Sequence, residues 1–214
     1  MAYSTGLRAA RGRHAPPPEV RLPLQRQRLL RAAAGEFAER GYAAASAASI
    51  ARRAGMSKAT FYAHFSNKLA CIVALVDRAN EVVAGAMAKA ARSAGITDAA
   101  ARIHAGTRAY LNAIAEHPEF ARALLVEIVG AGPTAMAKRD QGMQLFAAIL
   151  DAENAAAARR GLSPRFASPY DSYAIVGGIT ELVSRQVRLS EPESVLELGP
   201  VIDRLIGGIL ARSS

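Results

Sequence analysis

Between Ser57 and Lys68 the chain gathers short donors and small side chains: Ser57, Lys58, Ala59, Thr60, Tyr62, Ala63, His64 and Lys68. Hydroxyls, an imidazole and an ammonium can donate to phosphate oxygens, contacts that fix register on a duplex without reading its sequence. Ser57, Thr60, Tyr62, His64 and Lys68 are the expected phosphate contacts. Lys58 can donate to guanine O6 and N7, while Ala59, Thr60 and Ala63 can pack on a thymine methyl. Phe61 and Phe65 stand at i and i+4, one face of a short helix, which leaves these side chains for its other faces. A small-residue face edged by donors suits the major groove, roughly 12 Å wide.

The residues just upstream supply what must hold such a helix. Ser46 can cap a preceding helix through its hydroxyl. Ile50 and Ala54 share one face of that helix, and Gly55 ends it, since glycine reaches the left-handed conformation that a Cβ resists. Ser57 can cap the helix that follows. Two short helices joined by a tight turn make a helix-turn-helix with the second as reader. Arg52 and Arg53 are either further phosphate contacts or solvated helix charges.

Charge agrees with a polyanionic partner. Residues 1–68 hold 12 Lys or Arg against 3 Asp or Glu, and residues 69–214 hold 15 of each, so the formal +9 lies wholly on the N-terminal third. The other chemistries find little support. His14, His64, His104 and His117 make no metal-ligand spacing with the carboxylates or with Cys71. There is no Gly-rich phosphate loop, HExxH or GxSxG, so no catalytic residue, metal or cofactor is expected. Cys71 falls on the apolar side of the next helix and reads as a buried, inert thiol. One cysteine suits a reducing cytoplasm. No apolar run is long enough to span a membrane, and the N-terminus lacks an apolar signal region.

The stretch GYAAASAASIARRAGMSKATFYAHFSNK resembles the DNA-binding motif of TetR-family transcriptional regulators. The likeness is carried by Gly41-Tyr42, the Ser46 cap, Ile50-Ala51, Ala54-Gly55, Ser57-Lys58, Phe61-Tyr62, His64-Phe65 and Lys68. It departs from that pattern at Gly35, at Ser46 in place of threonine, and at Cys71 in place of leucine. The resemblance implies an all-α protein with DNA contacts at Ser46, Ser57, Lys58, Ala59, Thr60, Tyr62, Ala63, His64 and Lys68. It also implies a helical C-terminal domain that binds a small molecule and dimerises, on a palindromic operator in double-stranded DNA, most often as a repressor.

The elements are then expected in order. Residues 1–21 are expected to be a basic, proline-rich arm, disordered without a partner, in which Arg8, Arg11 and Arg13 reach phosphates or the minor groove, or stay solvated. The first helix starts near Pro23 with Leu29, Leu30, Ala33 and Phe37 as its apolar stripe, and Gly41 closes it. The helix-turn-helix domain is expected over residues 22–68. A long helix from Lys68 to about Arg92 links it to a helical domain over residues 69–214. Further helices are predicted after Thr97-Asp98, after His117-Pro118, from about Pro133 to Arg160, from Ser168-Pro169 to about Arg188, and up to about Ala211.

A pocket among the fifth to eighth helices is expected to be lined from Tyr110, Ile114, Phe120, Leu124, Met136, Met143, Phe146 and Tyr173, because Met and aromatic residues adapt to apolar ligands. Plain core packing is the alternative for each. A homodimer interface is expected from Ile175, Ile179, Leu182 and Val183 with Val201, Ile202, Leu205, Ile206 and Ile209, as an isologous four-helix contact. The alternative is that both stripes face their own subunit.

Overall fold

The computed structural model of the chain describes residues 17–93 and 99–211, and among these no strand occurs. The helices are α1 (Pro18–Ala44), α2 (Ala47–Arg53), α3 (Lys58–His64), α4 (Lys68–Ser93), α5 (Ala99–Glu116), α6 (Pro118–Leu125), α7 (Pro133–Arg159), α8 (Pro169–Leu189) and α9 (Gly199–Ala211). Single 3-10 turns follow α6, at Glu127–Ala131, and precede α9, at Val195–Leu198. The expected all-α fold class is the observed one. The arm residues Arg8, Arg11 and Arg13 lie outside the described residues.

Local chemistry sets most boundaries. α1 begins five residues before the expected Pro23, because Pro18 occupies the first helical turn, where a missing N–H costs nothing. Gly41 takes φ +77° and interrupts the helical path where the sequence places its end. Ser46 accepts from the Ser49 amide and Ser49 answers to the Ser46 amide, closing a box at the start of α2. Gly55 supplies φ +67° in the turn. Ser168 and Asp171 form the same reciprocal cap on α8.

Two apolar clusters hold the molecule. The first joins Leu29, Leu30, Ala33 and Phe37 of α1 with Ile50, Phe61, Phe65, Cys71, Ile72 and Leu75, and continues into Ala123, Ile128 and Ala135 beyond the helix-turn-helix unit. Burial pushes the Cys71 thiol up to about 12, which keeps it protonated and inert. The second cluster joins Leu111 and Phe166 with Ile175, Val183, Leu198, Ile202 and Ile206. This corrects part of the expected dimer surface. Ile175, Val183 and Ile202 are fully buried and Ile206 is 5% exposed, all within their own subunit. Ile179, Leu182 and Ile209 lean half-buried on the same core, and Leu205 lies against Gly178. Val201, in the first turn of α9, stays at the surface. An apolar stripe specifies that a face is covered; it does not specify by which chain.

Candidate functional site

α3 is seven residues long, too short to persist alone in water, so its display depends on its seat. Phe61 has no exposure and Phe65 3%, with ring centroids 5.5 Å apart, and they pin the helix to α1. Ser57 caps its start: the hydroxyl accepts from the Thr60 amide at 3.0 Å and shares a hydrogen with the Thr60 hydroxyl at 2.9 Å. Ser57, Lys58, Ala59, Tyr62 and Ala63 are exposed together on the outer side, and Thr60 is half-buried. Lys58 leans toward the Tyr62 ring, 5.8 Å from its centroid. Ser46 is exposed at the start of α2, its hydroxyl engaged in the cap.

In the chain by itself, two of the expected phosphate contacts bond within the fold. The Lys68 ammonium donates to the carbonyls of Tyr42, Ala43 and Ala45 at 2.6, 3.2 and 2.9 Å, and lies 4.2 Å over the Tyr42 ring. All three of its hydrogens are committed to the chain that leaves Gly41, and desolvation holds its pKa below the usual lysine value. His64 turns Nε2 toward Gln25 Oε1 at 3.3 Å, facing α1. Desolvation, then the nearby Arg26 guanidinium, depresses its pKa, so it favours the neutral ring. Arg26 and Arg28 likewise serve helix ends, donating to the carbonyls of His64 and Ala54. Arg26, Arg28 and Lys68 thus help to assemble the helix-turn-helix unit, while Lys58 and Arg52 are exposed on it and Arg21 and Arg31 are exposed along α1.

Lys68→Met should therefore act through stability. Loss of charge-assisted bonds to three carbonyls is expected to cost about 2 kcal/mol in thermal or urea unfolding. The salt dependence of DNA binding by the folded variant should stay that of the parent. A salt slope lower by about one would restore Lys68 as a phosphate contact.

Arg53 fills a notch in α1 that explains Gly35. A Cβ at residue 35 would come within 2.4 Å of the Arg53 guanidinium. The same guanidinium donates to Glu39 at 2.6 Å and reaches Glu119 of α6 at 3.7 Å. The bond to Arg53 lowers the Glu39 pKa. Glu127, just past α6, accepts from the Tyr42 amide at 2.8 Å. The helix-turn-helix unit therefore meets the rest of the chain at α6 and the turn after it, as well as along α4.

The second feature is an apolar cavity of about 220 Å³ between α4, α5, α6, α7 and α8. Of the expected lining residues it holds Tyr110, Ile114, Leu124, Met143 and Phe146. Three expected residues fall elsewhere. Phe120 packs into the first core against α1. Met136 and Tyr173 keep the helical phase of Arg139 and Val176 but sit one turn before the cavity, and Tyr173 is 37% exposed. The missing wall is α4, which contributes Val76, Asn80, Val83 and Met87. α4 and α7 run the same way along it. Asp77 pairs with Lys138 at one end, and Arg102, bonded to the Ala91 carbonyl, pairs with Glu153 at the other. Fourteen residues of α4 between these ties span roughly 20 Å. Burial raises the Tyr110 phenol well above its usual value, so it remains a neutral donor at the cavity surface. Sequence reasoning missed Asn80, Arg102, Thr107, Arg139 and Glu153; their signal is a polar residue set in phase with an apolar stripe.

Among the described residues no helix is long and apolar enough to cross a membrane, and no group of three His, Cys, Asp or Glu is placed to hold a metal.

Known proteins agree with this geometry. The profile of bacterial regulatory proteins of the tetR family matches residues 29–75, which run from the buried face of α1 to Leu75 of α4. The HTH-type transcriptional activator FasR of Mycolicibacterium smegmatis is 38% identical over 109 residues, 50% of this chain and 48% of that protein, so the match spans about half the length of this curated relative. The fold is shared with the fatty acid degradation regulator FadR of Bacillus halodurans, at TM-score 0.76 and 18% identity over 85% of this chain and 94% of that one. It is shared equally with FadR of Bacillus subtilis, solved in complex with stearoyl-CoA, at TM-score 0.76 and 18% identity over 86% and 98% of the two chains. Residues 29–75 thus match the tetR family of bacterial regulatory proteins, and the helical fold around them is the one these FadR regulators share.

Proposed function

We propose that this protein is a cytoplasmic, ligand-responsive transcriptional regulator that binds a palindromic DNA site as a homodimer and leaves it when an amphipathic molecule with a long apolar chain fills the cavity. The observation that carries this reading is the cavity wall: α4, which starts at the foot of the reading head, lines the cavity through Val76, Asn80, Val83 and Met87. A ligand between α4 and α7 must displace or brace that helix. The lining is mostly apolar, which suits a chain of the kind that Bacillus subtilis FadR holds as stearoyl-CoA.

A single reading helix contacts only a few base pairs, so affinity and length of site call for two heads about 34–36 Å apart, or a multiple of that. Tyr170 and Tyr173 at the start of α8, and Val201 at the start of α9, are exposed apolar side chains open to a second copy. Two states then differ in head spacing, and the ligand must bind the mismatched state better to shift them. Repression follows where the site overlaps a promoter. The kinship with FasR, named an activator, favours a second reading in which the same site lies upstream of the promoter and occupancy recruits transcription.

Footprinting on the DNA upstream of the protein's own gene tests both. The expected result is protection of one two-fold symmetric site, weakened roughly 5–150-fold by palmitoyl-CoA, the range of ordinary allosteric coupling. Uniform coating of the DNA overturns the specific-site reading, and a footprint that no acyl-CoA alters overturns the effector reading. A reporter carrying the site assigns the sign of the output.

A further inference from the structure

Resting on the effector reading above, we infer that the ligand's polar end is anionic and is held by Arg139, with Asn80 beside it, at the end of the cavity nearer the reading head. Two cations line the cavity, Arg102 and Arg139. Arg102 is already satisfied: it makes bonds of 3.1, 3.0 and 2.9 Å to the Glu153 carboxylate and one of 3.3 Å to the Ala91 carbonyl. Its charge is thus already paired, and a ligand anion would have to compete with the Glu153 carboxylate for it.

Arg139 is in the opposite condition. Its Nη1 rests 3.3 Å from the Met143 sulfur, a weak acceptor. The nearest carboxylate oxygen, on Asp140, is 3.9 Å away and beyond hydrogen-bond reach. Its Nε is buried with no acceptor at all. Unsatisfied buried donors are rare and unfavourable, and one on a guanidinium at a cavity wall marks a place where an acceptor belongs. Asn80 adds two donors and an acceptor that bond to nothing among the described residues. Its amide lies over Gly142, where a Cβ would come within 2.7 Å of Nδ2, so glycine at 142 is what lets the amide sit there. Residues 139 and 142 share one face of α7, so the guanidinium and the amide occupy the same end.

Most of the remaining wall, including Val83, Met87, Phe146 and Leu150, is apolar, and its polar members Thr107, Tyr110 and Thr180 carry no charge. An anion would be costly anywhere along it without a free cation. A planar guanidinium with open donors meets a carboxylate or a phosphate through two parallel bonds. The ligand therefore lies with its charged oxygens at Arg139 and its chain running toward the closed Arg102–Glu153 end. The same chemistry is offered by a free fatty carboxylate and by the phosphates of an acyl thioester.

Calorimetric titration of the full-length protein with palmitate, palmitoyl-CoA and hexadecanol separates these, since the three share a chain and differ in head group. Against wild type, Arg139→Met should weaken the anionic probe by roughly tenfold or more, the loss typical of truncating one side of a buried charge pair. It should leave hexadecanol binding nearly unchanged, and Arg139→Lys should recover part of the loss. Whether palmitate or palmitoyl-CoA shows the effect identifies the source of the anion. Asn80→Leu provides a second variant if Arg139→Met melts early, with the same selective loss expected. Equal loss for all three probes, or no loss for any, overturns the anchor while leaving the apolar-chain effector standing. Failure of all three to bind the wild-type protein overturns the effector reading itself, and the anchor with it.

Discussion

Phe61→Ala should abolish sequence-specific DNA binding by melting the reading head, at a cost of about 3–5 kcal/mol, the range for truncating a fully buried phenylalanine. The ring has no solvent exposure and sits between Phe65 and the edge of Tyr62, with centroids 5.5 and 5.6 Å away. α3 has seven residues, so its own hydrogen bonds cannot sustain it, and the Ser57 cap adds only about 1 kcal/mol. The seat on α1 is thus what converts a marginal helix into a rigid reader. Removing it leaves a cavity against Leu29, Leu30 and Phe37 in the first core. Urea unfolding monitored by circular dichroism should show the loss of stability. A fluorescence-anisotropy titration with operator DNA should show no specific binding beyond that to a scrambled duplex. The surface variant Ala63→Ser, at an exposed position of the same helix, should leave stability within about 0.5 kcal/mol. If Phe61→Ala bound operator like the parent, the display of Lys58 and Thr60 would not depend on this core.

The reading head is legible in the sequence because its signals are local. A serine cap, a glycine at positive φ and two phenylalanines four residues apart each act within one turn of chain. The start of α1 is less legible: the Pro16-Pro17-Pro18 run reads as part of a disordered arm, whereas α1 opens at Pro18 with an exposed first stretch that no buried apolar stripe marks. Lys68 shows a different limit. Its partners are carbonyls 23 to 26 residues earlier, and nothing in the type or spacing of a lysine tells that its hydrogens are committed there. His64 and Arg26 follow the same rule. For the cavity, helical phase found the right faces of α5 and α7, but it could not say where along a helix a packed core gives way to open space. Met136 and Tyr173 were lost for that reason. The stripes on α8 and α9 were read correctly as apolar faces, yet Ile175 and Ile202 turn inward because two adjacent helices of one chain can cover each other.

Glu127→Ala should weaken the link between ligand and DNA without touching either site. Glu127 stands in the turn after α6 and its carboxylate accepts from the Tyr42 amide at 2.8 Å, with Arg122 3.8 Å from its other oxygen. It reaches α1 where the helix breaks at Gly41, whose φ of +77° leaves the next amide without an intrahelical acceptor. A Cβ at 41 would lie 3.3 Å from the same carboxylate oxygen, so the glycine serves both the break and the approach. The carboxylate is 17% exposed, and its removal strands the Tyr42 N–H at a cost of about 1–3 kcal/mol. That cost lies in the range of a whole allosteric coupling energy, ~1–3 kcal/mol. Movement of α6 against α1 is then no longer felt at the chain segment that Lys68 also grips. Palmitoyl-CoA affinity measured without DNA should match the parent, whereas its difference with and without operator should shrink by several-fold. Linkage requires the same factor to appear when operator affinity is measured with and without palmitoyl-CoA. Glu127→Gln keeps a carbonyl acceptor for Tyr42 and should retain most of the coupling. Full coupling in Glu127→Ala would assign the transmission to α4 alone, and the contact at Tyr42 would then be a brace for α1 and no part of the switch.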